Sequence, residues 1–228
     1  MMNNLGNIVI IKLGPQLRKF NFFSFFLTKL KVYNQPFISF FMVEIIPLQE
    51  IDEKYLIERV EAGDIFIYPT DTVYGLGCNA VNSNSVLDLK AIKKRDSNKP
   101  LSVIAPSKKW IYDNFEISKK SYVQTLPGPF TFIFNVKKNS VSREVNPGKN
   151  TLGVRIPHHP FTRLIKRAKI PFITTSVNLS GKRPIREIKN IPKSILKKVD
   201  FVIDGGFLHN QPSTIIDLTQ EMPKIVKR

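Results

Sequence analysis

Lys93, Arg95 and Lys99 fall close together in KKRDSNKPL, a density of cations that suits phosphate oxygens: Arg grips them in a planar fork and Lys as a point charge. The same cluster also reads as a solvated helix end whose cations complement the macrodipole. Upstream, YPTDTVYGLG (68–77) places the hydroxyls of Thr70 and Thr72 around Asp71, directly after a run of strand formers. Short polar groups at a strand mouth suit a small polar ligand. Asp71 itself either orients that loop or touches the ligand. Thr151 and Arg155 in TLGVRIP, Thr174, Ser176 and Asn178 in PFITTSVN, and Ser213 and Thr214 in PSTIIDL extend the pattern. In open α/β sheets such strand ends line the ligand crevice, so these segments are expected to build one site. Neither G-x-x-x-x-G-K-[ST] nor G-x-G-x-x-G occurs, so a nucleotide must be held by other means. With three His and one Cys, no Cys/His cluster has zinc spacing and no internal disulfide can form.

The elements that must carry these residues alternate between strand-like and helix-like segments. Asp52 can cap a helix with Tyr55, Leu56, Ile57 and Val60 on its apolar face, and Gly63 ends it. DIFIYPT then reads as a buried strand. A second helix starts near Ser83 or Ser85, with Val86, Leu89 and Ile92 on one face. PLSVIAP reads as a strand, residues 108–115 as a helix, LPGPFTFIFNV as a turn entering a strand, TLGVRIP as a strand and PFTRLIKRA as a helix. PFITTSVN, VDFVIDGG and STIIDLT complete the strands. This order predicts an α/β (mixed α+β) single domain: a twisted mixed sheet flanked by helices, with a concave basic crevice. No internal repeat is present, and only SGKRPIREIKNIPKSILKK resembles a linker. Gly75, Gly77 and Gly181 are expected to permit tight turns or close ligand approach.

At 228 residues the chain supports one sizeable core rather than two full domains. Its formal charge of +17 suits a polyanionic partner, a nucleotide or an RNA. Residues 1–41 hold five basic residues, no acidic one and eight of the seventeen phenylalanines. They leave 30 basic against 18 acidic residues in 42–228, so the basic character does not depend on this leader. Its apolar runs are too short for a membrane span and are broken by Lys29 and Lys31. It fits neither a signal nor a transit peptide. Residues 1–41 therefore read as a poorly structured or non-native extension, with targeting as the alternative, and 42–228 as the folded domain.

The blocks YPTDTVYGLG, KKRDSNKPLSVI, LPGPFTFIF, LGVRIPHHP, TTSVNLSGKRP and PSTIIDL occur in the order and spacing found in the YrdC-like threonylcarbamoyl-adenylate synthases, which this sequence resembles from about Ile45 onward. The most specific element is K-x-R (Lys93, Arg95) followed by S-x-N (Ser176, Asn178). The chain is similar to the short, single-domain form. The resemblance implies a YrdC-like fold and a nucleotidyltransferase that condenses L-threonine, bicarbonate or CO2, and ATP to threonylcarbamoyl-AMP and pyrophosphate. Mg2+ would be held mainly by phosphates and water, with no metal-ligating residues of the chain assigned. A tRNA threonylcarbamoyl transferase complex would act downstream, and direct tRNA contact is a further expectation. The implied location is the cytoplasm, with no membrane contact.

Carried over residue by residue, the resemblance puts Thr72, Arg155, Thr174 and Ser213 on the threonine, with Arg155 facing its carboxylate. Lys93, Arg95 and Lys99 become the triphosphate clamp. Thr151, Ser176, Asn178 and Lys227 (or Arg228) face the nucleotide or the carbamoyl end, and Lys93, Arg95, Ser176 and Asn178 are the catalytic set. Three positions depart from the common pattern: Asp96 follows K-x-R where proline is usual, Leu126 precedes P-G-P, and Val177 sits inside S-x-N. Asp96 puts a negative charge beside the clamp, and Ile104 is expected to make one wall of the amino-acid pocket apolar. Cys78 reads as a buried small residue, and His158 and His159 as capping or surface groups. Two rival readings are an RNA-binding or RNA-chaperone module without turnover, and a carbamoyl-transferring domain like those inside hydrogenase maturation proteins.

Overall fold

The computed structural model describes residues 2–4, 8–11 and 41–226, with side chains from residue 43. In chain order its elements are β1 (Met2–Asn4), β2 (Ile8–Ile11), β3 (Phe41–Pro47), α1 (Glu53–Ala62), β4 (Phe66–Tyr68), β5 (Gly75–Gly77), α2 (Ser83–Ile92), β6 (Ser102–Ile104), α3 (Lys108–Asn114), α4 (Lys120–Gln124), β7 (Phe130–Asn135), β8 (Thr151–Arg155), α5 (Phe161–Ala168), β9 (Phe172–Ser176), α6 (Lys193–Leu196), β10 (Phe201–Asp204), β11 (Thr214–Asp217) and β12 (Lys224–Val226). The strands form one mixed sheet in the order β1-β2-β3-β10-β4-β5-β9-β6-β8-β7-β11-β12. β3, β10 and β4 run parallel, as do β6 with β8 and β7 with β11. β5 and β9 lie antiparallel between them.

Local chemistry explains the helices. Asp52 accepts the Tyr55 N–H at 3.1 Å, and Gly63, at φ 95°, closes α1 in the left-handed region that glycine enters without strain. Asn82, one residue before the expected start, caps α2 by accepting from Ser85 N at 3.2 Å. Period-two alternation then divides the core. Ile67, Val103, Ile173 and Val202 point to one face, where α2, α3, α4 and α6 bring Val86, Leu89, Ile111, Val123 and Ile195. Phe66, Tyr68, Ile104, Phe172, Phe201 and Ile203 point to the other, where α1 and α5 bring Leu56, Val60, Phe161, Leu164 and Ile165. The outcome is the helix–sheet–helix layering expected from the sequence.

Seven of the described elements were not anticipated: β1, β2 and β3, the first two inside residues 1–41 that read as poorly structured, then β5, α4, α6 and β12. β5 is a strand although glycines flank its one side chain, and α4 and α6 are short. Gly75 and Gly77 serve close approach rather than turning. A Cβ at Gly77 would stand 2.1 Å from the Ile173 carbonyl oxygen, and one at Gly75 would stand 2.7 Å from the Tyr68 ring. Gly181, at φ 80°, does turn the chain. No helix among the described residues is long and apolar enough to cross a membrane.

Candidate functional site

Strand register places Thr131, Gly153, Arg155, Ser102, Thr174, Ser176 and Gly75 on the same face of the sheet as Ile104 and Phe172. α5 covers the part carrying Ile104 and Phe172. The rest, apart from Gly153, lines a cleft of about 430 Å3, completed by Thr70, Thr72, Lys93, Arg95, Asn178 and Ser213 among others. That volume lies within the usual range for small-molecule sites. Glycines in the strands keep its floor low: a Cβ at Gly153 would stand 2.4 Å from Ser102 Oγ.

Of the residues expected in the site, Thr72, Lys93, Arg95, Arg155, Thr174, Ser176, Asn178 and Ser213 all line this cleft. Thr151 and Lys99 do not. Thr151 begins β8, whose other end carries Arg155, and Lys99 is exposed on the turn after Arg95. Lys227 and Arg228 lie outside the described residues. Ile104 is fully buried under α5 rather than facing the cleft. Ser102 and Thr131 are lining residues that the sequence reading passed over. Their signal is a hydroxyl inside an otherwise apolar strand, and Thr131 Oγ1 lies 2.9 Å from Ser213 Oγ.

Hydrogen-bond accounting fixes the polarity of several groups. Thr70 donates its one hydroxyl proton to the Val73 carbonyl at 2.8 Å, so Thr72 must be the donor in the 2.9 Å contact between the two hydroxyls. The Thr72 oxygen is thus an acceptor toward the cleft, with Arg155 Nη1 3.4 Å away. Asn178 uses both amide protons, on the Leu179 and Lys182 carbonyls at 2.8 Å each. Its Oδ1 is buried with no partner and is therefore an acceptor waiting for an N–H or a cation.

Cations dominate the electrostatics. Arg155 is 6% exposed and ion-paired with Asp71 at 2.5 Å; burial lowers its pKa and the Asp71 charge opposes that. Asp71 does not itself line the cleft; of the two roles left open from the sequence, orienting the loop or touching the ligand, its position fits the first. Lys93 is 2% exposed and its ammonium donates to the Ser176 carbonyl. Burial, reinforced by the Arg95 charge, pulls its pKa down to about 7. Arg95 donates to the Pro100 carbonyl at 2.7 Å while its Nε has no partner, and burial lowers its pKa. Neither Lys93 nor Arg95 has a carboxylate within ion-pair distance among the described residues. Buried cations without counter-ions are costly unless a ligand supplies the negative charge.

The turn that shapes Arg95 is itself ordered. Lys94 adopts φ 49°, Lys90 donates to the Ser97 carbonyl at 2.5 Å, and Asp96 accepts the Asn98 N–H at 2.9 Å. Asp96 is thereby engaged in its own exposed turn. Cys78 is fully buried and burial raises its pKa, in keeping with an inert packing role. His159 Nδ1 accepts the Phe161 N–H at 3.2 Å at the start of α5, and the His158 backbone N–H donates to Asp71 Oδ2 at 2.9 Å. Neither imidazole lines the cleft.

The sequence pattern of the Sua5, YciO and YrdC proteins, described as telomere recombination, matches residues 58–228. A Methanocaldococcus jannaschii protein provisionally named as a threonylcarbamoyl-AMP synthase is 38% identical over 189 residues, covering 79% of this chain and 88% of that one. The Coxiella burnetii threonylcarbamoyl-AMP synthase is 32% identical over 154 residues, 65% of this chain and 82% of that one. Among solved structures, Pyrococcus abyssi Sua5 complexed with L-threonine superposes with a TM-score of 0.72 at 27% identity, over 80% of this chain. The match spans 56% of that longer protein. A shared fold, a matching pattern over most of the chain and relatives of similar length agree: the chain belongs to the Sua5/YciO/YrdC family.

Proposed function

We propose that residues 42–228 form an L-threonylcarbamoyl-adenylate synthase that condenses L-threonine, bicarbonate or CO2, and ATP to threonylcarbamoyl-AMP and pyrophosphate. One observation carries this reading. A single cleft holds an oriented guanidinium suited to a carboxylate, Arg155 beside Thr72, together with a buried Lys93 and a half-buried Arg95 that have no carboxylate in ion-pair reach among the described residues. An amino acid and a polyphosphate are the pair of anions that such a site fits. The names of the relatives and the L-threonine complex of the Pyrococcus abyssi protein support the same assignment.

In this reading Arg155 takes the threonine carboxylate, with Thr72, Thr174 and Ser213 around the amino acid. The neutral threonine nitrogen adds to CO2 and gives up a proton to solvent, leaving a carbamate. A carbamate oxygen then attacks the α-phosphorus, the bond to the β-phosphate oxygen breaks, and pyrophosphate leaves with its electron pair. Lys93 and Arg95 sit where that charge develops, so proximity and fixed cations supply the catalysis without a nucleophilic side chain. Asn178 Oδ1 accepts an N–H from the carbamoyl or the nucleotide, beside the Ser176 hydroxyl. Lys99 and Thr151, which stand outside the cleft lining, would meet the nucleotide from beyond it, and Lys227 is proposed as a further nucleotide contact.

Mg2+ fits this cleft only as a partner of the phosphates, because no group of three His, Cys, Asp or Glu side chains among the described residues could cage it. Asn178 Oδ1 is the uncommitted protein oxygen that could join its shell, and the ion would supply charge neutralisation at the phosphates. The product then serves a tRNA threonylcarbamoyl transferase complex, which makes threonylcarbamoyladenosine in tRNAs reading codons that begin with A. The protein acts in the cytoplasm, and a gel-shift titration with tRNA checks for direct contact. Incubation with ATP, Mg2+, L-threonine and isotope-labelled bicarbonate tests the reading: the label should appear in a product with the mass of threonylcarbamoyl-AMP. Unlabelled product, or none from a folded protein, would reject it.

A further inference from the structure

Asp71 does not line the cleft, yet it joins three distant segments. Its Oδ1 meets Arg155 Nη2 at 2.5 Å, and its Oδ2 accepts the His158 backbone N–H at 2.9 Å. Its backbone carbonyl accepts from Asn210 Nδ2, also at 2.9 Å, which ties the turn after β4 to the segment before β11. Both carboxylate oxygens are therefore occupied, and the side chain is only 10% exposed. Arg155 uses Nη2 for this pair. Its Nη1 makes only the long contact with Thr72, and its Nε is buried without a partner.

We infer that Asp71 is a positioning residue: it holds one edge of Arg155 so that the remaining N–H groups face the cleft beside Thr72, ready for a ligand carboxylate. The inference rests on the functional reading only for the identity of that ligand. The Asp71–Arg155 pair is neutral as a unit, so an amino-acid carboxylate is recognised through directed hydrogen bonds rather than net charge. Removing the Asp71 charge frees the guanidinium to turn. Asparagine keeps the size of the side chain, but its amide protons must face a donor, either Arg155 or the His158 N–H.

The test is the affinity of the full chain for L-threonine and for L-threoninol, in which a hydroxymethyl group replaces the carboxylate, with ATP affinity measured alongside. Wild type should prefer L-threonine. Asp71→Asn should shrink that preference by about tenfold or more, the scale of one charge-assisted contact, while ATP affinity stays within about twofold. Asp71→Glu, which restores the charge, should recover most of the preference. Arg155→Lys should lose it as well, and adding Asp71→Asn to Arg155→Lys should change nothing further, because the first residue acts through the second. A variant too unstable to titrate alone is measured saturated with ATP, which stabilises the folded state by mass action. An unchanged threonine-to-threoninol ratio in Asp71→Asn, or additive losses in the double variant, would overturn the inference and leave the functional reading standing. Wild type that bound no L-threonine would instead overturn that reading, and this inference with it.

Discussion

Binding of ATP should be accompanied by the uptake of a proton at Lys93, and replacing Lys93 by methionine should abolish that uptake. In the free protein the Lys93 amine is enclosed, donates to the Ser176 carbonyl, and faces the Arg95 guanidinium with no carboxylate in ion-pair reach among the described residues. From the segment after β9, Asn178 and Ser180, both uncharged, share the cleft lining with Lys93, and the Ser180 N–H donates to the Lys93 backbone carbonyl at 3.2 Å. Burial, then Arg95, brings its pKa to about 7. A triphosphate beside it reverses the balance and returns the ammonium to its charged form. With a free-protein pKa of about 7, binding should take up about 0.9 proton at pH 8, about 0.5 at pH 7 and about 0.1 at pH 6. ATP affinity should accordingly fall as pH rises above about 7, by up to about tenfold per pH unit. Calorimetric titration in two buffers of contrasting ionisation heat gives the proton count directly, and Lys93→Met isolates the share that does not come from ATP itself. Equal uptake by wild type and variant, or a pH-independent affinity above pH 7, would refute the argument. Stability follows the same linkage. The folded pKa lies below the unfolded one, so the group costs stability fully below about pH 7 and progressively less toward its ordinary value of 10.5. Lys93→Met should therefore unfold no earlier than wild type at pH 7, even though its turnover is lost.

Arg95→Ala should lower kcat at least about a hundredfold, the scale of losing a preorganised charge contact, while its melting temperature moves by only a few degrees; steady-state kinetics beside a thermal melt checks both. Gly77→Ala should destabilise the fold by about 3 kcal/mol or more, because the new methyl would stand 2.1 Å from the Ile173 carbonyl, and urea denaturation would show it as a lowered midpoint. A midpoint unchanged from wild type would mean that β5 and β9 separate at no cost.

Much of the architecture was legible because local and periodic signals agreed. Asp52 and Gly63 bracket α1 as written, and the alternation in DIFIYPT and PFITTSVN sorts side chains onto the faces they occupy. β5 was not legible for a physical reason: a strand whose side chains are mostly absent has no alternation to read, and its glycines serve contact with Tyr68 and Ile173. The hydroxyl and cation motifs located the cleft, since strand ends are where a sheet leaves side chains uncovered. Their polarity was hidden. That Thr72 and Asn178 face the ligand as acceptors depends on where their protons go, and the lowered pKa of Lys93 depends on burial created by segments far along the chain. Ile104 shows the limit of face assignment: it shares a face with Ser102, yet α5 covers one and not the other.

The central claim, that one cleft activates an amino-acid carbamate with ATP, is tested most directly by pyrophosphate release from residues 42–228 in ATP, Mg2+ and bicarbonate, with L-threonine, with L-serine and with neither. The account predicts release that requires both L-threonine and bicarbonate and is greater with threonine than with serine. Release that proceeds equally without an amino acid, or none from a folded protein that binds ATP and L-threonine, would contradict it.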